Sequence, residues 1–122
     1  MSTDKLAQFE RQNFINLESF YASGKGVKTP VWFVEDGGKL YVRTVDDSWK
    51  VRRIRQTPRV RVVPCKAQGQ PLGEWVEGRA RIVAADIQVH VNRLLNKKYG
   101  LQKKAFDLMG RKLTHTTIEI EL

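Results

Sequence analysis

Residues 42–62, VRTVDDSWKVRRIRQTPRVRV, carry the densest charge pattern in the sequence. They include seven of the 22 lysine and arginine residues of the chain. The two acids of the segment, Asp46 and Asp47, precede six of these bases, and no acid follows them within the segment. The six bases are Lys50, Arg52, Arg53, Arg55, Arg59 and Arg61. Such a cluster predicts an anionic partner.

The same segment has an internal order that a solvated basic surface would not need. Alternation over residues 40–44 predicts a strand, and Ser48 stands where an N-cap belongs, before the helical spacing of residues 50–55. Pro58 ends the helix because the residue before a proline is pushed toward extended geometry. Alternation then resumes in residues 59–64. We therefore predict a strand, a polar loop, a short basic helix and a second strand.

The start of this helix is a candidate site for an anion. The spacing points Val51 and Ile54 inward and places Lys50 and Arg53 on a neighbouring stripe. The free N–H groups and the positive dipole end of a helix favour a phosphate there. The other interpretation is that Lys50 and Arg53 are ordinary solvated helix residues.

Length and charge limit the possible classes of protein. The 122 residues predict one domain, spanning residues 1–122. The net charge of +9 fits nucleic acid, an anionic lipid surface or a phosphorylated small molecule, and does not choose among them.

The single cysteine, Cys65, allows no intrachain disulfide, which fits a reducing compartment. The N-terminal residues lack the apolar run of a signal peptide, and no window is apolar enough to span a bilayer. We expect a soluble, cytoplasmic protein with no membrane partner.

Six segments have the composition and alternation of β-strands. Pro30 lies inside the second and indicates an edge strand, because proline cannot donate to a ladder. Residues 36–38, Asp-Gly-Gly, predict a hairpin turn. The predicted fold class is mainly β, a closed or partly closed six-stranded barrel with short helices. The predicted strands are residues 14–21, 27–35, 39–44, 59–64, 74–84 and 114–122.

Two further helical regions are predicted. Residues 4–12 place Leu6 and Phe9 on one side and are expected to cap the barrel. Asp86 is the predicted N-cap of a longer helix that ends at Gly100, and helical spacing repeats from residue 101 to residue 109.

Six segments form an ordered set: KTPVWF (28–33), GGKLYVRT (37–44), KVRRIRQTPRV (50–60), PC (64–65), EWVEGRAR (74–81) and KYG (98–100). This set resembles the pyridoxamine-phosphate-oxidase-like split-barrel family, and within it the branch of small flavin- or deazaflavin-dependent oxidoreductases. The resemblance covers nearly all of residues 14–122.

This resemblance implies an FMN-binding type of split barrel with six strands, assembled as a homodimer. It also implies that the ring of FMN, or of the deazaflavin coenzyme F420, lies in a groove between the subunits. By position, Lys28, Thr29, Pro30 and Val31 are similar to the strand that lies along the ring. Arg43, Thr44, Ser48 and Lys50 are similar to the positions that hold the phosphate and ribityl chain. Val51 and Arg53 of the same segment are further candidate cofactor-binding residues. Cys65 and Trp75 are expected near the groove.

The leading hypothesis is an oxidoreductase that uses F420 or FMN to transfer hydride to or from a small organic substrate. A redox cofactor brings its own hydride chemistry, so no catalytic side chain is predicted. One alternative is a non-catalytic carrier of flavin, deazaflavin or haem. Another is a basic β-barrel that binds single-stranded nucleic acid, which is less favoured because the bases cluster on one short helix.

No metal site is predicted, because His90 and His115 lack ligand spacing.

Overall fold

The structure is a computed structural model that describes residues 5–46, 48–100 and 115–122. Within these residues the protein is mainly β. The strands are β1 (Phe14–Phe20), β2 (Gly26–Val31), β3 (Val34–Asp36), β4 (Lys39–Val45), β5 (Arg59–Cys65), β6 (Val76–Ile82) and β7 (His115–Glu121). The helices are α1 (Trp49–Gln56) and α2 (Ala85–Tyr99), with a short 3₁₀ helix at Ala7–Phe9.

The described strands form one antiparallel sheet in the order β2-β1-β5-β6-β7-β4-β3. β2 and β3 stand at the two ends of this order, yet only Trp32 and Phe33 separate them along the chain. Three peptide links reach at most about 11 Å. The sheet must therefore curve until its two end strands come close together, which makes it a barrel although β2 and β3 do not pair with each other in the described sheet.

The prediction of six strands was wrong, because the described residues form seven. The predicted strand at residues 27–35 is divided into β2, which pairs with β1, and β3, which pairs with β4. Thr29 lies opposite Leu17, whereas Val34 lies opposite Tyr41. Residues 31–34 are all apolar, so the sequence gives no local sign that the chain changes its partner strand there. The other predicted strands agree with the structure to within two residues at each end. So does the helix predicted at residues 50–55, which is α1.

The bend between β2 and β3 is held by side chains of α2. Phe33 is only 1% exposed, so its peptide groups cannot reach water. Its N–H donates to the Tyr99 hydroxyl at 3.1 Å, and its carbonyl accepts from the Lys98 ammonium at 2.8 Å. The Tyr99 hydroxyl also lies 2.8 Å from the carbonyl oxygens of Asn13 and Phe33, either of which can accept its proton. These bonds replace the ladder that is interrupted where the strand changes partner.

The core follows the alternation of the strands. Ile15 and Leu17 of β1 point into the barrel, and Val51 and Ile54 of α1 point inward as predicted. A second cluster fills the space between α2 and strands β3 and β4. The buried members of the barrel core are Phe9, Ile15, Leu17, Phe33, Leu40, Val42, Val51, Ile54, Val60, Val62, Ala80, Ile118 and Ile120. Those of the second cluster are Val34, Tyr41, Val91, Leu95 and Tyr99.

Two turn-level predictions are confirmed. β2 is an edge strand, as Pro30 indicated, because it pairs with β1 alone in the described sheet. Gly37 and Gly38 have φ angles of 60° and 84°, which suit the tight turn between β3 and β4.

The predictions for the other helices have mixed outcomes. Only Ala7–Phe9 of residues 4–12 is helical in the described chain, although Phe9 does pack on the core as expected. Asp86 is not the N-cap of α2. The helix begins at Ala85, so Ala84 is the N-cap and Asp86 lies in the first turn. Its carboxylate in the first turn still complements the helix dipole. Gly100 ends α2 as predicted, with its N–H donating to Asn96. The repeat at residues 101–109 lies outside the described residues.

No helix in the described part of the chain is long and apolar enough to cross a bilayer.

Tyr99→Phe is predicted to lower the free energy of unfolding by about 1–3 kcal/mol, because the buried Phe33 N–H loses its acceptor. Urea denaturation measures this difference. Tyr21→Phe is the matched control, since the Tyr21 side chain is exposed, and it should change stability by less than about 0.5 kcal/mol. Equal effects of the two substitutions would mean that the bend does not depend on the Tyr99 hydroxyl.

Candidate functional site

A cavity of about 540 Å³ lies between strand β2 and the start of α1. Four of the candidate residues share it: Thr29, Ser48, Lys50 and Arg53. We call it the phosphate cavity, after the group that its chemistry suits. Its lining residues are Tyr21, Val27, Thr29, Ser48, Trp49, Lys50 and Arg53.

The start of α1 supplies backbone donors to this cavity. Ser48 caps the helix as predicted, and its hydroxyl accepts from the Val51 N–H at 3.5 Å. The first turn contains no acidic residue. The N–H groups of Trp49 and Lys50 precede the first intrahelical bond, which runs from the Arg52 N–H to the Ser48 carbonyl. The positive end of the helix dipole therefore faces the cavity without a carboxylate of its own turn.

Lys50 brings a charged side chain to the same place. Its ammonium donates to the Thr44 hydroxyl at 3.1 Å, and Thr44 is itself buried in β4. Burial lowers the pKa of Lys50, and the neighbouring charge of Arg53 lowers it further. An anion in the cavity would raise the pKa of Lys50 again, because it would stabilise the charged ammonium.

Arg53 is more deeply buried than helix periodicity indicated. Its side chain is 7% exposed, its Nε donates to the Ser19 hydroxyl at 2.7 Å, and its guanidinium lies 5.4 Å from the Tyr21 ring centroid. Among the described residues no carboxylate pairs with it, whereas Arg55 pairs with Asp46. For Arg53, the interpretation as a solvated helix residue is therefore wrong. A buried cation is costly unless it is paired, so the site is suited to an anionic ligand.

Strand β2 sends its candidate residues to different sides, because neighbouring residues of a strand alternate. Thr29 faces the phosphate cavity, while Lys28 lies 5.2 Å from the ring centroid of Trp75. Arg61 also approaches that ring, at 4.9 Å. Lys28 and Trp75 thus form a separate cluster outside the lining of the phosphate cavity. Pro30 is exposed, and Val31 packs against the barrel core.

Three other candidate residues do not line the cavity either. Val51 is a core residue of α1. Cys65 is a free thiol buried at the end of β5, and burial raises its pKa. Arg43 lies on β4 opposite Thr117.

The sequence analysis did not identify three lining residues: Tyr21, Val27 and Trp49. Tyr21 and Trp49 are large apolar side chains that remain 42% and 67% exposed. The position of Trp49 directly after the N-cap was the available signal, since that position turns away from the core of a short helix.

Two other cavities, of about 420 and 380 Å³, have mixed charge. Glu119 and Glu121 line the first beside three bases, and Glu77 and Glu121 line the second. Their carboxylates make them poorer anion sites than the phosphate cavity. In the part of the chain that the structure describes, no group of three side chains could hold a metal ion.

The barrel agrees with the split-barrel resemblance of the sequence. The model of the pyridoxamine 5'-phosphate oxidase family matches residues 2–120, and the chain belongs to that family. A search of curated proteins finds no matching sequence.

Solved structures share the fold at low sequence identity. The haem storage protein HutZ from Vibrio cholerae has a TM-score of 0.70 and 13% identity, over 92% of this chain and 82% of that one. A FAD-binding protein from Mesorhizobium loti has a TM-score of 0.65 and 18% identity, over 94% and 82%. An F420 reductase has a TM-score of 0.62 and 18% identity, over 99% and 94%.

Inorganic phosphate is predicted to stabilise the protein by binding in the phosphate cavity. At a hundred times its Kd, a ligand specific for the folded state adds about 2.7 kcal/mol, so the melting temperature should rise. Arg53→Met should remove most of this rise, and so should Lys50→Met. Arg55→Met is the control on the same helix, because Arg55 is exposed and paired with Asp46. An equal rise in all variants, or the same rise with chloride at matched ionic strength, would contradict a defined site.

Proposed function

We propose that the protein is an oxidoreductase that binds FMN or F420 through its phosphate and transfers hydride to or from a small organic substrate. The observation that carries this proposal is the convergence of two cations and a helix start on one cavity. Lys50 and Arg53 line it, and among the described residues neither pairs with a carboxylate.

The chain's own residues bind and orient the cofactor. Lys50 and Arg53 neutralise the phosphate, and the free N–H groups of α1 donate to its oxygens. Thr29 offers a hydroxyl from the facing edge of β2. When bound, the flavin or deazaflavin supplies the hydride chemistry, so the protein needs no acid–base pair of its own.

The relatives support the cofactor class. Proteins with this fold include an F420 reductase, a FAD-binding protein and a haem storage protein. A carrier that holds a cofactor without turnover is thus the second candidate, and an assay of cofactor reduction by candidate hydride donors separates it from an enzyme. Haem is less well supported here, since none of the residues that line the phosphate cavity is a histidine.

The charge distribution argues against nucleic acid as the partner. Several bases of the strands are neutralised by ion pairs: Arg59 with Glu77, Arg61 with Glu18, and Arg81 with Glu119. These pairs interrupt a continuous basic track of the kind that would follow a phosphate backbone. A cytoplasmic location belongs to the same proposal, because Cys65 is a free thiol.

Lys50→Ala is predicted to weaken the binding of FMN and F420 by about ten- to a hundredfold, because one charge-assisted hydrogen bond contributes about 1.5–3 kcal/mol. Titration of each cofactor at low and high salt measures the loss. Arg55→Ala removes the same charge from the exposed side of α1 and should have little effect.

Equal losses in the two variants that vanish together at high salt would indicate a diffuse basic field. Tight binding of a single-stranded oligonucleotide, with no cofactor binding, would overturn the proposed function.

We further propose a homodimer whose cofactor groove is shared between the chains. Support comes from the family resemblance and from the edge strand β2, which borders the cavity and pairs with β1 alone in the described sheet. Of the large aromatic residues near the end of β2, Phe33 is buried in the core and Trp32 stacks on Tyr99 with their ring centroids 4.5 Å apart.

Sedimentation is predicted to give about twice the 14.1 kDa mass of the chain, as expected for a C₂ dimer, the commonest oligomer. Dilution below the dimer dissociation constant should reduce FMN affinity along with the mass. A monomer that binds FMN at full affinity would contradict the shared groove.

A further inference from the structure

The phosphate cavity carries two exposed aromatic rings, and each is braced by a cation of α1. Trp49 is 67% exposed, and the Arg52 guanidinium lies 4.9 Å from its ring centroid. Tyr21 is 42% exposed, and the Arg53 guanidinium lies 5.4 Å from its ring. Both rings line the same cavity as Lys50. Aromatic faces are thus placed beside the anion site.

The cavity is also larger than a phosphate needs. Its volume of about 540 Å³ corresponds to many water molecules at about 30 Å³ each, whereas a phosphate has only five heavy atoms. The remaining space is bordered by Trp49, Tyr21 and Val27, which are mainly apolar. Apolar walls beside a few fixed charges suit a ligand in which an aromatic group is joined to phosphate.

We propose that Trp49 and Tyr21 form a subsite for a purine base joined through phosphate, so that the protein binds FAD in preference to FMN. This inference rests on the proposed function, because it assigns the part of the cofactor beyond its phosphate. The diphosphate of FAD places its two charges near Lys50 and Arg53, and the adenine stacks on the Trp49 ring. FMN ends at its phosphate, and F420 continues with carboxylates, so neither provides a base for this ring.

The expected gain follows from stacking energy. Stacking of a base on an aromatic side chain contributes about 1–3 kcal/mol, which corresponds to a roughly five- to 150-fold gain in affinity. The Arg52 guanidinium lies over the indole ring, 4.9 Å from its centroid, and the side chain of Trp49 remains 67% exposed.

The test compares FAD and FMN affinities, by flavin fluorescence, in the wild type, Trp49→Ala and Trp49→Phe. FAD should bind the wild type at least fivefold more tightly than FMN. Trp49→Ala should lower the FAD affinity by at least fivefold and so bring it to that of FMN, while Trp49→Phe keeps most of the preference. The inference is overturned if FAD binds no better than FMN, or if Trp49→Ala weakens both equally.

A second pair of probes separates this inference from the proposed function. ADP carries the base and diphosphate without a flavin ring, so the wild type should bind it more tightly than inorganic pyrophosphate, and Trp49→Ala should not. ADP preference without binding of any flavin would retain the subsite and reject the proposed function. Flavin binding without preference for FAD or ADP would reject the subsite alone.

Two other roles of Trp49 would also overturn the inference. If Trp49→Ala sediments as a monomer where the wild type is a dimer, the ring is a subunit contact. If the wild type binds a single-stranded oligonucleotide more tightly than FAD and Trp49→Ala does not, the ring belongs to a nucleic-acid surface.

Discussion

The barrel depends on how the peptide groups of Phe33 are satisfied. A strand that leaves one partner for another must interrupt its ladder, and here the interruption is buried. An unpaired buried N–H would cost about 1–3 kcal/mol, a large share of the stability of a small domain. The Tyr99 hydroxyl and the Lys98 ammonium supply the missing partners. Burial lowers the pKa of Lys98 to about 8, and the Phe33 ring, 3.7 Å from the ammonium, offsets part of that cost.

The same bend determines where the phosphate cavity forms. Because β3 pairs with β4, β2 is left at the end of the described sheet, where it pairs with β1 alone. Thr29 on that strand then faces the start of α1, which follows β4 directly in the chain. The cavity therefore joins Tyr21, which follows β1, and residues of β2 to the start of α1, and its shape depends on the curvature of the barrel. A change at Tyr99, which does not line the cavity, can alter the site through this geometry.

Local physics explains which features the sequence could predict. The Ser48 cap and the inward positions of Val51 and Ile54 follow from capping and helical spacing, which involve only a few neighbouring residues. The break at Phe33 could not be predicted, because its partners on α2 are 65 and 66 positions away. The burial of Arg53 has the same origin, since its partner Ser19 lies on β1, 34 positions away. Strand alternation places Lys28 and Thr29 on opposite sides of β2, but it does not determine which of the two faces α1.

The net charge of the chain is a poor guide to its binding site. Several bases of the strands are paired with Glu18, Glu77 and Glu119. The exposed pair of Arg59 with Glu77 contributes little and is screened by salt. Lys50 and Arg53 differ because the fold half-buries Lys50 and buries Arg53 beside a helix start, and provides no carboxylate for either in the described chain. Removing these two cations from water is unfavourable, and no described carboxylate offsets it. An anionic ligand in the cavity would offset it. We therefore expect the affinity of this site for an anion to depend on the burial of Lys50 and Arg53 and on the lack of a described carboxylate beside them, and to depend little on the number of bases elsewhere.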